Sequence, residues 1–228
     1  MLAPILLFIS LLSLAWLLYC HLKAQQALQW WSQRQSLLLL NEADIVRDSL
    51  LQDSFSLRRS LERSPEACQQ GVEKLEVFHR SLEQLSDRLS PPHVEYSLPL
   101  AIEWLTQSWQ PRYPQLNIKT QLPSIWQDTP PEGNLIILRV LDELLQITAN
   151  FSAESLQICL KQREIEELNF KISFAHKSML IAYSDLKELN YLRQTFRFLT
   201  SGQCVWQRQG LTGSWCFRWR SPKHQDAT

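Results

Sequence analysis

The chain has 228 residues, with 23 basic and 23 acidic side chains that cancel to a formal charge of zero. That balance excludes the basic footprint of a nucleic-acid binder and points to recognition of other proteins or of a membrane. The length accommodates one membrane segment and one or two compact domains.

Residues 2–20, LAPILLFISLLSLAWLLYC, are uncharged and mostly apolar. As a helix rising about 1.5 Å per residue they span about 28 Å, close to the hydrocarbon thickness of a bilayer. A cleaved signal peptide would carry Lys or Arg ahead of the apolar core and small residues at the cut. Here Met1 leads straight into the run and Leu18–Tyr19 precede Cys20, a sequence equally unsuited to lipoprotein cleavage. The run reads as a retained anchor with no external sensor domain before it. Lys23 and Arg34 follow it, which places the C-terminal bulk in the cytoplasm. Trp16, Lys23, Trp30 and Trp31 suit the membrane interface; Trp30 and Trp31 equally suit packing on a neighbouring helix.

From Leu22 to Arg63 there is neither Pro nor Gly, and the composition predicts a long helix. Leu39, Ala43, Val46, Leu50, Leu57 and Leu61 form an apolar seam, interrupted at Asp53–Ser54. Ser64–Pro65–Glu66 break and restart the helix, with Ser64 as N-cap and Pro65 at the first helical position. A second helix is predicted from Glu66 to Leu89, with Val72, Leu75, Phe78, Leu82 and Leu85 as its stripe and Pro91–Pro92 as its end. The two helices form a hairpin, and pairing two hairpins into a four-helix bundle buries the stripe.

Beyond Pro92 the periodicity changes. Leu98–Ser108 reads as a short helix, Leu116–Leu122 as a half-buried strand and Gly133–Ala149 as an amphipathic helix. Leu156–Leu160 and Leu168–Phe174 read as strands joined by a polar turn. A helix near Leu186–Leu199 and a closing hairpin, Gly202–Gln209 with Gly213–Trp219, complete the chain. This order predicts an α+β fold, helices layered on one face of a mixed sheet. The tail, residues 221–228, is polar and reads as flexible. No glycine lies between Gly133 and Gly202, although a phosphate-cradling loop needs glycines for close backbone approach and positive φ.

These residues, from about Leu38 to Trp219, resemble the bacterial two-component sensor histidine kinases of the nitrate-sensor subfamily. Ile45-Val-Arg-Asp-Ser-Leu-Leu51, with Phe55-Ser-Leu57 after it, occupies the place of that family's I-A-R-E-L-H-D and Q-x-L. Asp87-Arg-Leu-Ser-Pro91 stands where the second bundle helix ends in L-R-P. Asp142-Glu-Leu-Leu-Gln-Ile-Thr-Ala-Asn-Phe151 corresponds to Q-E-A-L-x-N-A-x-R-H. Leu199-Thr-Ser-Gly-Gln-Cys-Val205 and Gly210-Leu-Thr-Gly-Ser214 correspond to the closing hairpin. The resemblance implies a transmembrane anchor (1–21), a two-helix dimerisation hairpin (22–92) and a degenerate histidine-kinase-like ATPase α/β sandwich (93–220).

It also implies where the chemistry is missing. Leu50 stands at the phosphoacceptor histidine and Leu51 at the acidic residue that activates it; leucine has no nitrogen to attack a γ-phosphate. Ile147 replaces the magnesium-binding asparagine and offers no oxygen to the metal. Glu143 survives at the family's acidic position, as a solvated or capping carboxylate or as a vestige of catalysis. The D-x-G-x-G loop reads Ala175-His-Lys-Ser-Met179, without Asp or Gly.

No other chemistry stands out. The five cysteines, Cys20, Cys68, Cys159, Cys204 and Cys216, form no C-x-x-C pair and no zinc-type spacing with histidine. They read as buried thiols of a reducing compartment, with Cys204 and Cys216 as the one candidate disulfide across a hairpin. His79 reads as a surface or packing histidine, and His176–Lys177 as loop residues. No G-x-S-x-G, P-loop, H-E-x-x-H or EF-hand pattern occurs. The resulting expectation is a membrane-anchored, homodimeric pseudokinase without ATP, magnesium or other cofactor. It would act through protein partners: an active histidine kinase, a response regulator or a membrane complex. An active kinase with unorthodox motifs and a membrane-tethered structural subunit are the competing expectations.

Overall fold

The computed structural model describes residues 2–46, 50–63, 68–127, 129–151 and 153–220, with the side chains of 2–7, 60–63 and 68–71 excepted. In chain order the elements are α1 (Leu2–Ile45), α2 (Leu51–Arg63), α3 (Cys68–Leu89), α4 (Leu98–Trp109), β1 (Asn117–Gln121), α5 (Pro131–Ala149), β2 (Ala153–Lys161), β3 (Glu166–Phe174), α6 (Lys177–Ser184), α7 (Lys187–Thr200), β4 (Gln203–Gln209) and β5 (Thr212–Trp219). Two compact units result: Ser32–Pro92, and residues up to Trp31 together with those from His93 onward.

The apolar run continues without a break into the predicted bundle helix as far as Ile45, and the rest of that predicted helix, up to Arg63, is α2 from Leu51 onward; residues 47–49 lie outside the described ones. Pro4 sits in the first turn of α1, where a missing N–H costs nothing, and no Gly or Pro follows before its end. Among the described residues α1 is the one helix long and apolar enough to cross a membrane.

In the unit Ser32–Pro92, α2 packs on α3, and Arg88 reaches Glu42 at 3.5 Å. The seam differs from the predicted one. Leu38 and Glu42 turn inward while Leu39 and Ala43 stay exposed; Leu50 is buried and Leu57 half-buried. On α3, Phe78, Ser81 and Leu85 face inward, and Val72, Leu75 and Leu82 are left bare. The predicted break at Ser64–Pro65–Glu66, the seam side chain of Leu61 and the tail 221–228 lie outside the described residues.

The second unit is built on a five-stranded sheet of order β1-β2-β3-β5-β4. β1 and β2 run parallel, joined over α5, and every other pair is antiparallel. Strict alternation puts Leu168, Phe170, Ile172 and Phe174 of β3 on one face, level with Leu160, Ile158 and Leu156 of β2 and with Phe217, Trp215 and Gly213 of β5. That face forms one buried cluster with Leu98, Ile102 and Leu105 of α4, Leu141, Leu144 and Leu145 of α5 and Leu192 and Phe196 of α7. The opposite face is polar: Arg218 donates to Glu167 at 2.6 Å and Asn169 donates to the same carboxylate. These partners hold the Glu167 carboxyl below its ordinary range.

Local chemistry sets the element ends. Ser97 caps α4 by accepting from the Leu100 N–H, Pro131 opens α5, and Gly210 takes φ 62° at the β4–β5 turn. Asn134 of α5 donates to the Val94 carbonyl and accepts from Thr129, binding three separate segments at the start of α5.

Two expectations are corrected, and the disulfide alternative falls away. The thiols are not all buried: among the described residues Cys204 is buried, Cys159 and Cys216 are half-buried and Cys20 is exposed. Residues 175–179, read as a loop, turn straight into α6, a helix of 8 residues whose N-cap, His176, makes no side-chain bond. Without a cap signature it left no start signal to read. Cys204 and Cys216 do not form a disulfide. Cys204 registers with Phe217 and Val205 with Cys216, so the two thiols point to opposite faces, and both are free.

Asp142 of α5 is half-buried and accepts from Trp109 Nε1 at 2.8 Å, tying α5 to α4. Burial pushes its carboxyl pKa up, against the lowering effect of that bond, Arg112 and Arg139. The folded state therefore holds the proton more tightly than the unfolded chain. The ionised form is a penalty at neutral pH that fades as pH falls through the raised pKa. Asp142→Asn, which keeps an acceptor for Trp109, is expected to leave thermal stability at pH 7 unchanged or raise it. It should also remove the gain that the parent chain shows on mild acidification. Scanning calorimetry between neutral and mildly acidic pH checks both.

Candidate functional site

The residues singled out by the sequence are divided between the two compact units. Leu50 and Leu51 belong to one unit, Glu143 and Ile147 to the other. Leu50 is 4% exposed, a packing residue, whereas Leu51 is 47% exposed and uncharged. Neither position offers a nucleophile.

Glu143 and Ile147 lie four residues apart on one face of α5, 2% and 7% exposed. The reading of Glu143 as a solvated or capping carboxylate is thus overturned: it is interior and mid-helix. Sequence could not separate the alternatives, because a lone Glu in an amphipathic helix usually faces water.

Directly after Ile147, Thr148 is fully buried. Its Oγ1 lies 2.6 Å from the Leu144 carbonyl, to which it donates, and 3.1 Å from Tyr183 Oη, which then donates to it. Tyr183, on α6, is also fully buried. Its ring centroid lies 5.4 Å from Phe151 and from Phe174, and 5.7 Å from Trp206, whose own ring is 4.8 Å from Trp215. Edge-to-face and tilted rings at such separations attract beyond their area burial. Burial drives the Tyr183 hydroxyl pKa far up, so it acts only as a neutral hydrogen-bonding group.

Sequence reasoning missed Tyr183 because its partners come from α5, β3, β4 and β5. The one available sign was the i, i+3 pair Leu180 and Tyr183, both buried, just past the segment read as a loop. This short helix carries the plug into the space between the end of α5 and the sheet. Gly213 assists: a Cβ there would stand 2.0 Å from the tip of the Trp206 indole, so the ring lies across the glycine.

Open cavities among the described residues include one of about 600 Å³ between α4 and the segment after β1, lined by Tyr96, Pro99, Glu103, Leu122 and Trp126. Another of about 390 Å³ lies beyond the end of α5, against Tyr113, Asn150, Glu154 and Ala175, and Phe151 of this cluster borders it. Neither is lined by Glu143, Ile147 or Tyr183. Among the described residues no group of three or more His, Cys, Asp or Glu is placed to hold a metal. His79 is a surface residue, 3.3 Å from Glu83 on the next turn of α3.

At the other end of the unit, α1 contributes to the domain. Ala27 is 1% exposed and its carbonyl accepts from Thr195 Oγ1 at 3.2 Å. Trp30 lies 5.9 Å from the Tyr191 ring, and Trp30 and Trp31 both pack half-buried on the core. Lys23 sits 5.8 Å over the Tyr19 ring, itself 6.1 Å from Trp16.

No protein-family model matches the chain, and no curated protein does. Solved structures similar to it include the histidine kinase AdeS of Acinetobacter baumannii, at 14% identity over 75% of this chain and 96% of that one, with a TM-score of 0.41. A histidine kinase from Burkholderia phymatum is similar at 13% identity over 82% of this chain and 98% of that one, TM-score 0.44. The blue-light activated histidine kinase of Erythrobacter litoralis is similar at 12% identity over 78% of this chain and 60% of that one, TM-score 0.49.

Proposed function

We propose that this chain is a membrane-anchored, catalytically inactive histidine-kinase-like protein that acts through protein contacts as a scaffold, regulator or assembly factor. The observation that carries the reading is that Glu143 and Ile147, four residues apart on one face of α5, are closed off from solvent, 2% and 7% exposed. In the resemblance drawn from the sequence, that helix face would line the nucleotide site. Glu143 remains but is sealed in the interior, Ile147 brings no magnesium ligand, and Leu50 brings no phosphoacceptor.

Under this reading α1 anchors the chain in a membrane with the later domain in the cytoplasm. The partners are proteins: a second copy, an active histidine kinase, a response regulator or a membrane complex. The bare stripe Val72, Leu75 and Leu82 on α3 supports self-pairing of the hairpin, since an uncovered apolar stripe on a helix calls for a partner. Leu75→Glu with Leu82→Glu is expected to convert a dimer of the detergent-solubilised chain to monomer, read by analytical ultracentrifugation. A monomeric parent chain counts against the pairing.

The nucleotide reading is tested by melting the purified full chain with and without millimolar Mg–ATP. A working site at a hundred times its Kd would add about 2.7 kcal/mol and shift the melt by several degrees. No shift is expected, and no label transfer from γ-labelled ATP; a shift or a labelled residue revives the active-kinase reading.

A further inference from the structure

We propose that the C-terminal turn of α7, with Phe198 and Arg197, is a lipid-contacting surface that rests in the interface of the bilayer entered by α1. The inference rests on the reading above that residues 2–20 cross a membrane. It goes beyond that reading by assigning the soluble-looking domain a second membrane contact.

The geometry points there in three steps. Thr195 lies opposite Ala27 and Tyr191 opposite Trp30, so α7 runs antiparallel to α1 and climbs back toward the apolar run. Ala27 is seven residues past Cys20, about 10 Å along the helix axis, and Phe198 is three residues nearer the apolar run than Thr195, about 4–5 Å. The ring is therefore carried to within about 6 Å of the end of the run, the depth of the headgroup layer that flanks the hydrocarbon core.

The side chains there fit an anionic lipid surface. Phe198 is 59% exposed on a helix where Leu189, Leu192 and Phe196 are buried and Leu199 is half-buried. Arg197 beside it is exposed, as is Arg220, where β5 ends next to the same turn. That adjacency is tight: a Cβ on Gly202 would stand 2.3 Å from the Arg218 carbonyl oxygen and 3.0 Å from the Phe196 ring. Arg218 is engaged by Glu167, and Arg163 and Glu164 at the neighbouring β2–β3 turn offset each other. Arg197, Arg220 and Lys23 thus set a positive sign around an exposed aromatic ring, the pairing that inserts at membrane interfaces.

The test uses the full chain in vesicles of phosphatidylethanolamine and tritiated phosphatidylglycerol, with Phe198 replaced by p-benzoylphenylalanine. The control carries the same replacement at Leu211, exposed at the opposite end of the sheet. Photolysis should yield several-fold more lipid adduct at 198 than at 211, and Ala27→Glu, which releases α7 from α1, should bring position 198 down to the control. Alkaline extraction separates the two readings. A chain retained in the vesicles with equal adduct at both positions overturns the lipid contact alone; a chain extracted into the wash overturns the anchor and the contact together. Adduct at 198 that persists with Ala27→Glu overturns docking on α1 as its cause.

Discussion

Tyr183→Ala is expected to be among the most damaging single substitutions in the C-terminal domain, costing about 3–5 kcal/mol as for other buried aromatic truncations. The side chain is fully buried and lies against rings of β3 and β4 and against Phe151, just past the end of α5. Its removal leaves a hole between α5 and the sheet whose walls, Trp206 over Gly213 and Phe174 at the end of β3, are pinned by strand pairing. Thermal melting should show a drop on the order of ten degrees or more. Tyr183→Phe separates packing from polarity. It deletes the hydroxyl but leaves Thr148 bonded to the Leu144 carbonyl, so about 1 kcal/mol is lost. If the two variants melt alike, hydrogen bonding rather than ring packing holds this region. Emptying the plug is not expected to create ATP binding, because Ile147 and the segment 175–179 still supply neither a magnesium ligand nor a glycine turn.

The contrast between Tyr183 and Ile147 shows what was legible in the chain. α5 was readable because its apolar residues repeat at helical spacing; the predicted Gly133–Ala149 differs from the observed helix by two residues, at the start that Pro131 opens. β2, β3 and the closing hairpin were readable from alternation, which burial reproduces position by position along β3. The substitutions Leu50 and Ile147 were legible as missing chemistry, since the absence of a ligand atom is a property of a side chain alone.

What filled the space was not legible. The plug is a meeting of residues 148, 151, 174, 183 and 206, and no local pattern encodes contacts across such separations. The same limit hid the seam of α1: Leu37–Leu40 is a run of four leucines, and only packing decides that Leu38 turns in while Leu39 does not. The burial of Glu143 was hidden for a related reason, because helical periodicity tolerates a polar residue on an apolar face without revealing that it is there. Gly202 and Gly213 were readable as sheet-shaping residues only in outline; their close approaches to Arg218 and Trp206 are facts of the fold.

Ala27→Glu is the second large effect, and it separates a helix that merely passes the domain from one that belongs to it. Glu is nearly as good a helix former as Ala, so α1 itself should persist. Its carboxylate, however, would enter a contact where Ala27 is 1% exposed and where Thr195 Oγ1 already donates to the Ala27 carbonyl. Burying an unpaired charge costs several kcal/mol, more than such a small contact supplies, so residues 22–31 should leave α7 rather than accept it. The expected loss is about 3 kcal/mol of local stability, seen as roughly hundredfold faster amide exchange in α7, with the strands on the far side of the sheet unaffected. Thr195→Val removes only the one hydrogen bond and should cost about 1 kcal/mol. Trp30→Ala, which deletes the ring against Tyr191, should fall between the two. Unchanged exchange in α7 with Ala27→Glu would mean that the domain stands without α1. The graded series would instead establish that the helix carrying the apolar run is a structural part of the domain it precedes, so that a shift or rotation of that helix reaches α7 directly through Ala27 and Trp30.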